Sequence, residues 1–199
     1  TAMCKIVASE GMGIDVASGG ELFVALNAGF DPEKIYFHGN VKTLSDLRMA
    51  VQAGIGNIVI DSESEIDIIS ELAVKAGRIQ DVSVRLKPGI EAHTHDYIKT
   101  GQMDSKFGFG IPDGEGMRIV KEILAKPGIN LVGMHCHIGS QIFELTPFRD
   151  TVDVMLNFLL TVKKETGFVF SEINFGGGYG IHYLAEDKPL KPEEYVHAM

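Results

Sequence analysis

Val82-Ser-Val-Arg-Leu86 and Leu131-Val-Gly-Met-His-Cys-His137 are short alternating runs rich in strand-forming residues, and their alternation decides the fold. Successive side chains in a strand point to opposite faces, so Ser83 and Arg85 share one face while Val82, Val84 and Leu86 share the other. His135 and His137 likewise alternate with Val132, Met134 and Cys136. The same parity sets Tyr36 and His38 against Ile35 and Phe37, and Asn57 and Asp61 against Ile58 and Ile60. Each run therefore has one apolar face and one that turns polar toward its C-terminal end.

Working outward, six such runs are predicted as strands, over residues 13–17, 35–38, 57–61, 82–86, 131–137 and 173–175. Between most of them lie apolar residues at helical spacing, such as Leu22, Ala25 and Leu26 or Ile66, Ile69, Leu72 and Ala73, with Gly29, Gly54 and Gly77 as stop signals. Alternating β and α at this repeat implies parallel strands with crossover helices. An open doubly wound sheet and a (β/α)8 TIM-type barrel both satisfy that order. The central strands of an open sheet are buried on both faces and read as apolar throughout, whereas a barrel gathers inward polar residues at its C-terminal mouth. The barrel is the better fit. A complete one takes about 250 residues, so the expectation is an incomplete barrel of about six βα units over residues 1–199, with about two units absent. Residues 89–112 form a longer connection than the usual βα loop and are a candidate functional loop.

Composition narrows the function. A net charge of −9 with no Lys/Arg-rich run excludes the positive footprint that nucleic acids and anionic membranes require. Two cysteines are too few for a disulfide framework, and the expected compartment is the reducing cytoplasm. No stretch approaches the roughly 18 apolar residues of a membrane span. The opening Thr1-Ala-Met-Cys-Lys runs at once into a helical pattern, and an upstream segment is expected to be missing.

Three constellations carry chemistry. In Asn174-Phe-Gly-Gly-Gly-Tyr-Gly180, glycines let backbone N–H groups approach an anion, and a helix starting just after them would add its partial positive charge. A flexible turn needing positive φ angles is the plainer reading. In His135-Cys-His-Ile-Gly-Ser-Gln141, histidines two apart project to one side. They suit a metal pair with His93 and His95, an organic cofactor with Ser140 as hydroxyl donor, or a structural role. Arg85 at an inward position requires an anion, either a ligand or a structural partner such as Asp15 or Asp61. Lys106, in Asp104-Ser-Lys-Phe-Gly, is left between a salt bridge and a substrate contact.

Taken together, Asp15-Val-Ala-Ser-Gly-Gly-Glu-Leu, Phe37-His-Gly-Asn-Val-Lys, Arg85-Leu-Lys-Pro-Gly, Ala92-His-Thr-His-Asp-Tyr-Ile-Lys-Thr-Gly, Ser105-Lys-Phe-Gly, His135-Cys-His-Ile-Gly-Ser-Gln and Gly176-Gly-Gly-Tyr-Gly resemble, in order, the alanine-racemase-like barrel decarboxylases that use pyridoxal phosphate. The Gly-Gly-Glu-Leu and His-Cys-His-Ile-Gly-Ser-Gln forms resemble the diaminopimelate branch more than the ornithine branch. The resemblance implies pyridoxal 5'-phosphate as cofactor, with His137 on its ring and Ser140, Gly176, Gly177 and Gly178 around its phosphate. It also implies His137, Asp15 and Arg85 as catalytic residues, and no metal. The implied reaction converts meso-2,6-diaminopimelate to L-lysine and carbon dioxide, the last step of lysine biosynthesis. Ornithine, arginine and carboxynorspermidine decarboxylases, a non-catalytic regulator of the same fold and a metal-dependent barrel hydrolase are the alternatives. The family's Schiff-base lysine is expected upstream of Thr1, Lys5 being placed in a helix, and a C-terminal β-domain is expected to be absent. The 199 residues alone are therefore expected to be inactive, and the parent is expected to be a homodimer with shared active sites.

Overall fold

The computed structural model describes residues 1–90 and 106–199. His93, His95, Asp104 and Ser105 lie outside the described residues. In chain order the elements are α1 (Ala2–Ser9), β1 (Ile14–Val16), α2 (Gly19–Asn27), a 3-10 turn (Pro32–Lys34), β2 (Ile35–Phe37), α3 (Leu44–Ala53), β3 (Asn57–Ile60), α4 (Glu63–Lys75), β4 (Gln80–Lys87), β5 (Phe109–Gly110), α5 (Glu115–Leu124), β6 (Ile129–His135), α6 (Thr146–Thr166), β7 (Glu172–Asn174) and α7 (Pro192–Ala198). All six expected strands are present. The additional one, β5, falls within the connection predicted as a long loop, and two residues are too few for periodicity to announce.

Among the described residues the strand order is β1-β2-β3-β4-β6-β7, with β5 beside β4. The order follows the chain and never reverses. Doubly wound sheets reverse at a switch point, as in the order 3-2-1-4-5-6, so this topology is the barrel's.

By its contacts the chain forms two compact units, one of Thr1–Arg85 with Ile119–Gly133 and one of Leu86–Arg118 with Met134–Met199. In the first, β1 to β4 pair in parallel, in the register Asp15↔Tyr36, Tyr36↔Asn57, Ile58↔Val82 and Ile60↔Val84. Two of the helices between them, α2 and α3, begin where the sequence supplies a cap. Ser18 Oγ accepts from Glu21 N–H, and Thr43 and Asp46 form a reciprocal capping box. Gly54, at φ 67°, ends α3 in the left-handed conformation that glycine adopts without Cβ strain. Val82 and Val84 are fully buried with Ile58, Ile60, Ile66 and Ile69, each such side chain contributing about 1.5–3 kcal/mol. The opposite parity is buried as well, since Asn57, Asp61, Ser83 and Arg85 are all largely removed from solvent. A buried polar face needs internal partners, and most of it has them: Asn57 Nδ2 donates to Ser83 Oγ (2.9 Å) and Arg85 Nη1 to Asp61 Oδ2 (2.9 Å), while Asn57 Oδ1 accepts no hydrogen bond from the described residues.

In the second unit, β5 pairs in parallel with the end of β4 through Leu86↔Phe109 and Lys87↔Gly110. The long α6 ends at Gly167, again left-handed at φ 75°. A small core forms from Ile138, Ile142, Phe148 and Tyr195. Tyr179 stacks on Tyr195 (centroids 4.9 Å) and tilts against Phe148 (5.3 Å), and the fully buried Tyr195 donates its hydroxyl to Ile142 O (3.0 Å). These rings hold the segments after β6 and β7. No helix among the described residues is long and apolar enough to cross a membrane.

Candidate functional site

Two loops in the second unit lie side by side, one leaving β6 and the other leaving β7. They begin in register, because Cys136 N–H donates to Asn174 O (2.9 Å), and they remain joined by Ile142 N–H to Gly178 O (3.0 Å) and Gly180 N–H to Ile142 O (2.9 Å). Only glycine permits this closeness. A Cβ at Gly178 would stand 2.0 Å from Gly139 O, and one at Gly176 would stand 2.6 Å from Cys136 O and 2.9 Å from His137 Nδ1. Gly176 and Gly178 also have positive φ, 71° and 100°.

Gly177, between them, is different. Its φ is not in the positive range, and a Cβ there would meet nothing within 4 Å. Alternating backbone handedness around such a residue turns successive N–H groups toward one side, the arrangement that binds anions. Gly176 N–H is taken by Asn174 Oδ1 (2.8 Å), which sets the turn, and Gly177 N–H reaches His137 Nδ1 at 3.4 Å. No hydrogen bond among the described residues takes the Gly178 N–H. An imidazole that accepts at Nδ1 carries its proton at Nε2 when neutral. His137 is half-buried against the glycines, and Ser140 is exposed on the neighbouring loop. A cradle of glycines, a donor amide, a nearby hydroxyl and an oriented imidazole fit a phosphorylated aromatic cofactor. The helix expected just after the glycines is absent, because residues 179–191 are irregular and α7 begins only at Pro192. An anion at this loop would therefore be met by the loop's own amides, without a helix dipole.

In the first unit the expected residues are otherwise engaged. Asp15 is exposed on β1, with His38 Nε2 3.5 Å from its carboxylate. Arg85 pairs with Asp61, one of the two structural partners the sequence suggests. Lys5 lies exposed within α1, and in the second unit His135 is buried. Lys106 places its ammonium over the Phe107 ring, 5.2 Å from the centroid.

Sequence reading missed a buried ion pair beside Asp61. Lys42 Nζ donates to Gly39 O (2.6 Å), Val59 O (2.8 Å) and Glu65 Oε2 (2.9 Å). Burial lowers the Lys42 pKa and raises that of Glu65, and each partner's charge opposes the shift of the other. Three acceptors match the three hydrogens of an ammonium and offset part of the cost of burying it. Glu65 Oε2 also accepts from Asp61 N–H (3.0 Å). The signal was visible: Ser62-Glu-Ser-Glu65 has capping-box spacing, and Lys42 closes the Phe37-His-Gly-Asn-Val-Lys motif.

The sequence profile of a family described as pyridoxal-dependent decarboxylase, pyridoxal binding domain, matches residues 1–199. Diaminopimelate decarboxylase of Bacillus subtilis is 46% identical over 195 residues, which are 98% of this chain and 44% of that protein. Diaminopimelate decarboxylase of M. jannaschii, solved in complex with L-lysine, superposes with a TM-score of 0.89 at 35% identity over 99% of this chain and 45% of its own. The Helicobacter pylori enzyme of the same name, also with L-lysine, gives 0.88 at 28% identity, over 99% of this chain and 49% of its own. The chain thus spans a little under half the length of the relatives it matches. The likeness bears out an α/β fold of the pyridoxal-phosphate-binding TIM-barrel type, incomplete in this chain.

Proposed function

We propose, for a chain that belongs to the pyridoxal-dependent decarboxylase family as its pyridoxal-binding domain, that the full-length parent converts meso-2,6-diaminopimelate to L-lysine and carbon dioxide. The observation that carries this reading is the seating of His137 against the Gly176–Gly178 loop, with open space at Gly177. Bound there, pyridoxal phosphate supplies an electron sink for the pair left behind when a carboxylate departs.

The chain's own part is to bind and orient. Ser140 and the amides of the glycine loop would hold the phosphate, and His137, its Nδ1 fixed by Gly177 N–H, would hold the ring. A fixed phosphate and a fixed imidazole restrict rotation of the bound substrate, so that one carboxylate bond is favoured for cleavage. Asp15 and Arg85 would act in catalysis, as the resemblance of their motifs implies. The bond from Arg85 to Asp61 supplies the rigidity such a role needs. The wider reading has residues 1–199 as part of one cofactor-binding barrel domain, inactive alone. The parent is taken to be a cytoplasmic homodimer whose subunits share their sites.

Purified full-length parent, loaded with pyridoxal phosphate, tests the reading by carbon dioxide release from meso-diaminopimelate, L-ornithine, L-arginine and carboxynorspermidine. Turnover of the first alone, with L-lysine as product, is expected. Preference for one of the others would reassign the substrate, and visible absorption that never develops on adding the cofactor would defeat the cofactor reading itself.

A further inference from the structure

Gln141 has no role in the chemistry above, yet it is the one non-glycine residue at positive φ (55°) among the described residues. Strained backbone of this kind persists where the surroundings over-determine it, and it gathers at ligand clamps. Its side chain shows what does so. Nε2 donates to Ile181 O (3.0 Å), and Oε1 accepts from Ile181 N–H (2.8 Å), so the carboxamide satisfies both backbone groups of one residue. It thereby acts as an added rung beyond the parallel bridge Ile142↔Tyr179 and its two backbone hydrogen bonds.

We propose that Gln141 is a positioning residue that sets the spacing between Ser140 and Gly178, the hydroxyl and the amide that would hold the cofactor's phosphate. The proposal rests on the reading that these two loops bind that phosphate. Ser140 directly precedes Gln141 in the chain, and Ile181 lies three residues beyond Gly178, so the carboxamide ties the Ser140 loop to the chain just past the glycines. Glutamine alone among the common side chains meets the requirement. Glutamate lacks the donor for Ile181 O, asparagine is one methylene short, and methionine offers no polar atom capable of either bond. Glycine would remove the backbone strain, but it would also remove the clamp. The sequence thus tolerates strain here because the side chain is needed.

The test uses the full-length parent, freed of cofactor, and two probes that differ only in the phosphate: pyridoxal phosphate and pyridoxal. Dissociation constants are measured for wild type, Gln141→Met, Gln141→Glu and Gln141→Gly, alongside the 31P signal of bound pyridoxal phosphate. Wild type is expected to bind pyridoxal phosphate far more tightly than pyridoxal. Each variant should lose about tenfold for pyridoxal phosphate, the equivalent of one net hydrogen bond, while pyridoxal binding moves less than about twofold. The 31P line of the variants should broaden or shift. The strain-free Gln141→Gly should lose as much as Gln141→Met, which assigns the effect to the side chain. Variants that keep the wild-type ratio of the two affinities, or that lose both equally, overturn the role of Gln141. Should Gln141→Met unfold, Gln141→Glu, matched in size and shape, decides by the same ratio. A wild type that does not distinguish the two probes would instead remove the phosphate reading on which the proposal stands.

Discussion

Gly177→Ala separates a glycine kept for its neighbours from one kept for a ligand. The flanking glycines are required by the protein itself, since a Cβ at Gly178 would stand 2.0 Å from Gly139 O. At Gly177 the same atom would enter open space, and φ is not positive, so the protein alone imposes no penalty. Reduced freedom of the unfolded chain should then leave the cofactor-free parent as stable as wild type, or more stable by about 0.4–1 kcal/mol. If that open space receives the phosphate, the methyl group stands where a phosphate oxygen or its hydrogen bond belongs. One hydrogen bond to a charged group contributes about 1.5–3 kcal/mol, so the dissociation constant for pyridoxal phosphate should rise roughly 10- to 150-fold. Urea denaturation without cofactor and absorbance titration with it measure the two halves. Gly177→Ala that binds the cofactor as wild type does, with stability unchanged, would refute the placement of the phosphate at this loop.

Other expectations follow from the buried polar groups. Arg85→Ala leaves the Asp61 carboxylate buried without the guanidinium, and should cost about 3–5 kcal/mol by denaturant unfolding. Lys42→Met alone should cost a similar amount, whereas the Lys42→Met/Glu65→Leu double variant should lie close to wild type, because removing both charges also removes their desolvation. Glu65 has a raised pKa in the folded state, so its contribution is fully present below the ordinary carboxylate range and is lost as pH rises through the raised value. The lowered pKa of Lys42 gives a contribution present above the ordinary lysine range and lost as pH falls through the lowered value. Wild type should therefore lose ground to the double variant as pH is raised from the acid side toward neutrality. Parallel unfolding curves of the two proteins at a series of pH values would contradict the burial effect. Tyr195→Phe removes the hydroxyl bond to Ile142 O, and should lower stability by about 1 kcal/mol in a thermal melt.

Much of this molecule was written in local pattern. Alternation in Val82-Ser-Val-Arg-Leu86 and in 131–137 located strands that the structure contains, because side-chain parity is a property of the strand itself. Gly54 marked a helix end because capping is a short-range problem of backbone conformation and hydrogen bonding. The glycine triplet and His137 were legible as a candidate site because only glycine permits close backbone approach and only a few side chains offer a planar donor and acceptor.

What the tertiary structure decided are the pairings between residues distant in sequence. Arg85 had two available acids, and only the neighbouring of β3 and β4 selects Asp61, across 24 residues. Gln141 reads as one more polar loop residue until Ile181, 40 residues away, is brought to its carboxamide. Glu65 looks like an ordinary helix cap, and burial beside Lys42 turns it into half of an ion pair. Nor does a run of glycines reveal which of them faces its own protein and which faces open space. That difference between Gly178 and Gly177 arises only when the segment after β6 packs against the one after β7. Sequence determines the period, the caps and the kinds of chemistry available, because these depend on neighbours along the chain. Partners are chosen by packing, which brings distant residues to bonding distance and excludes the water that would otherwise satisfy them.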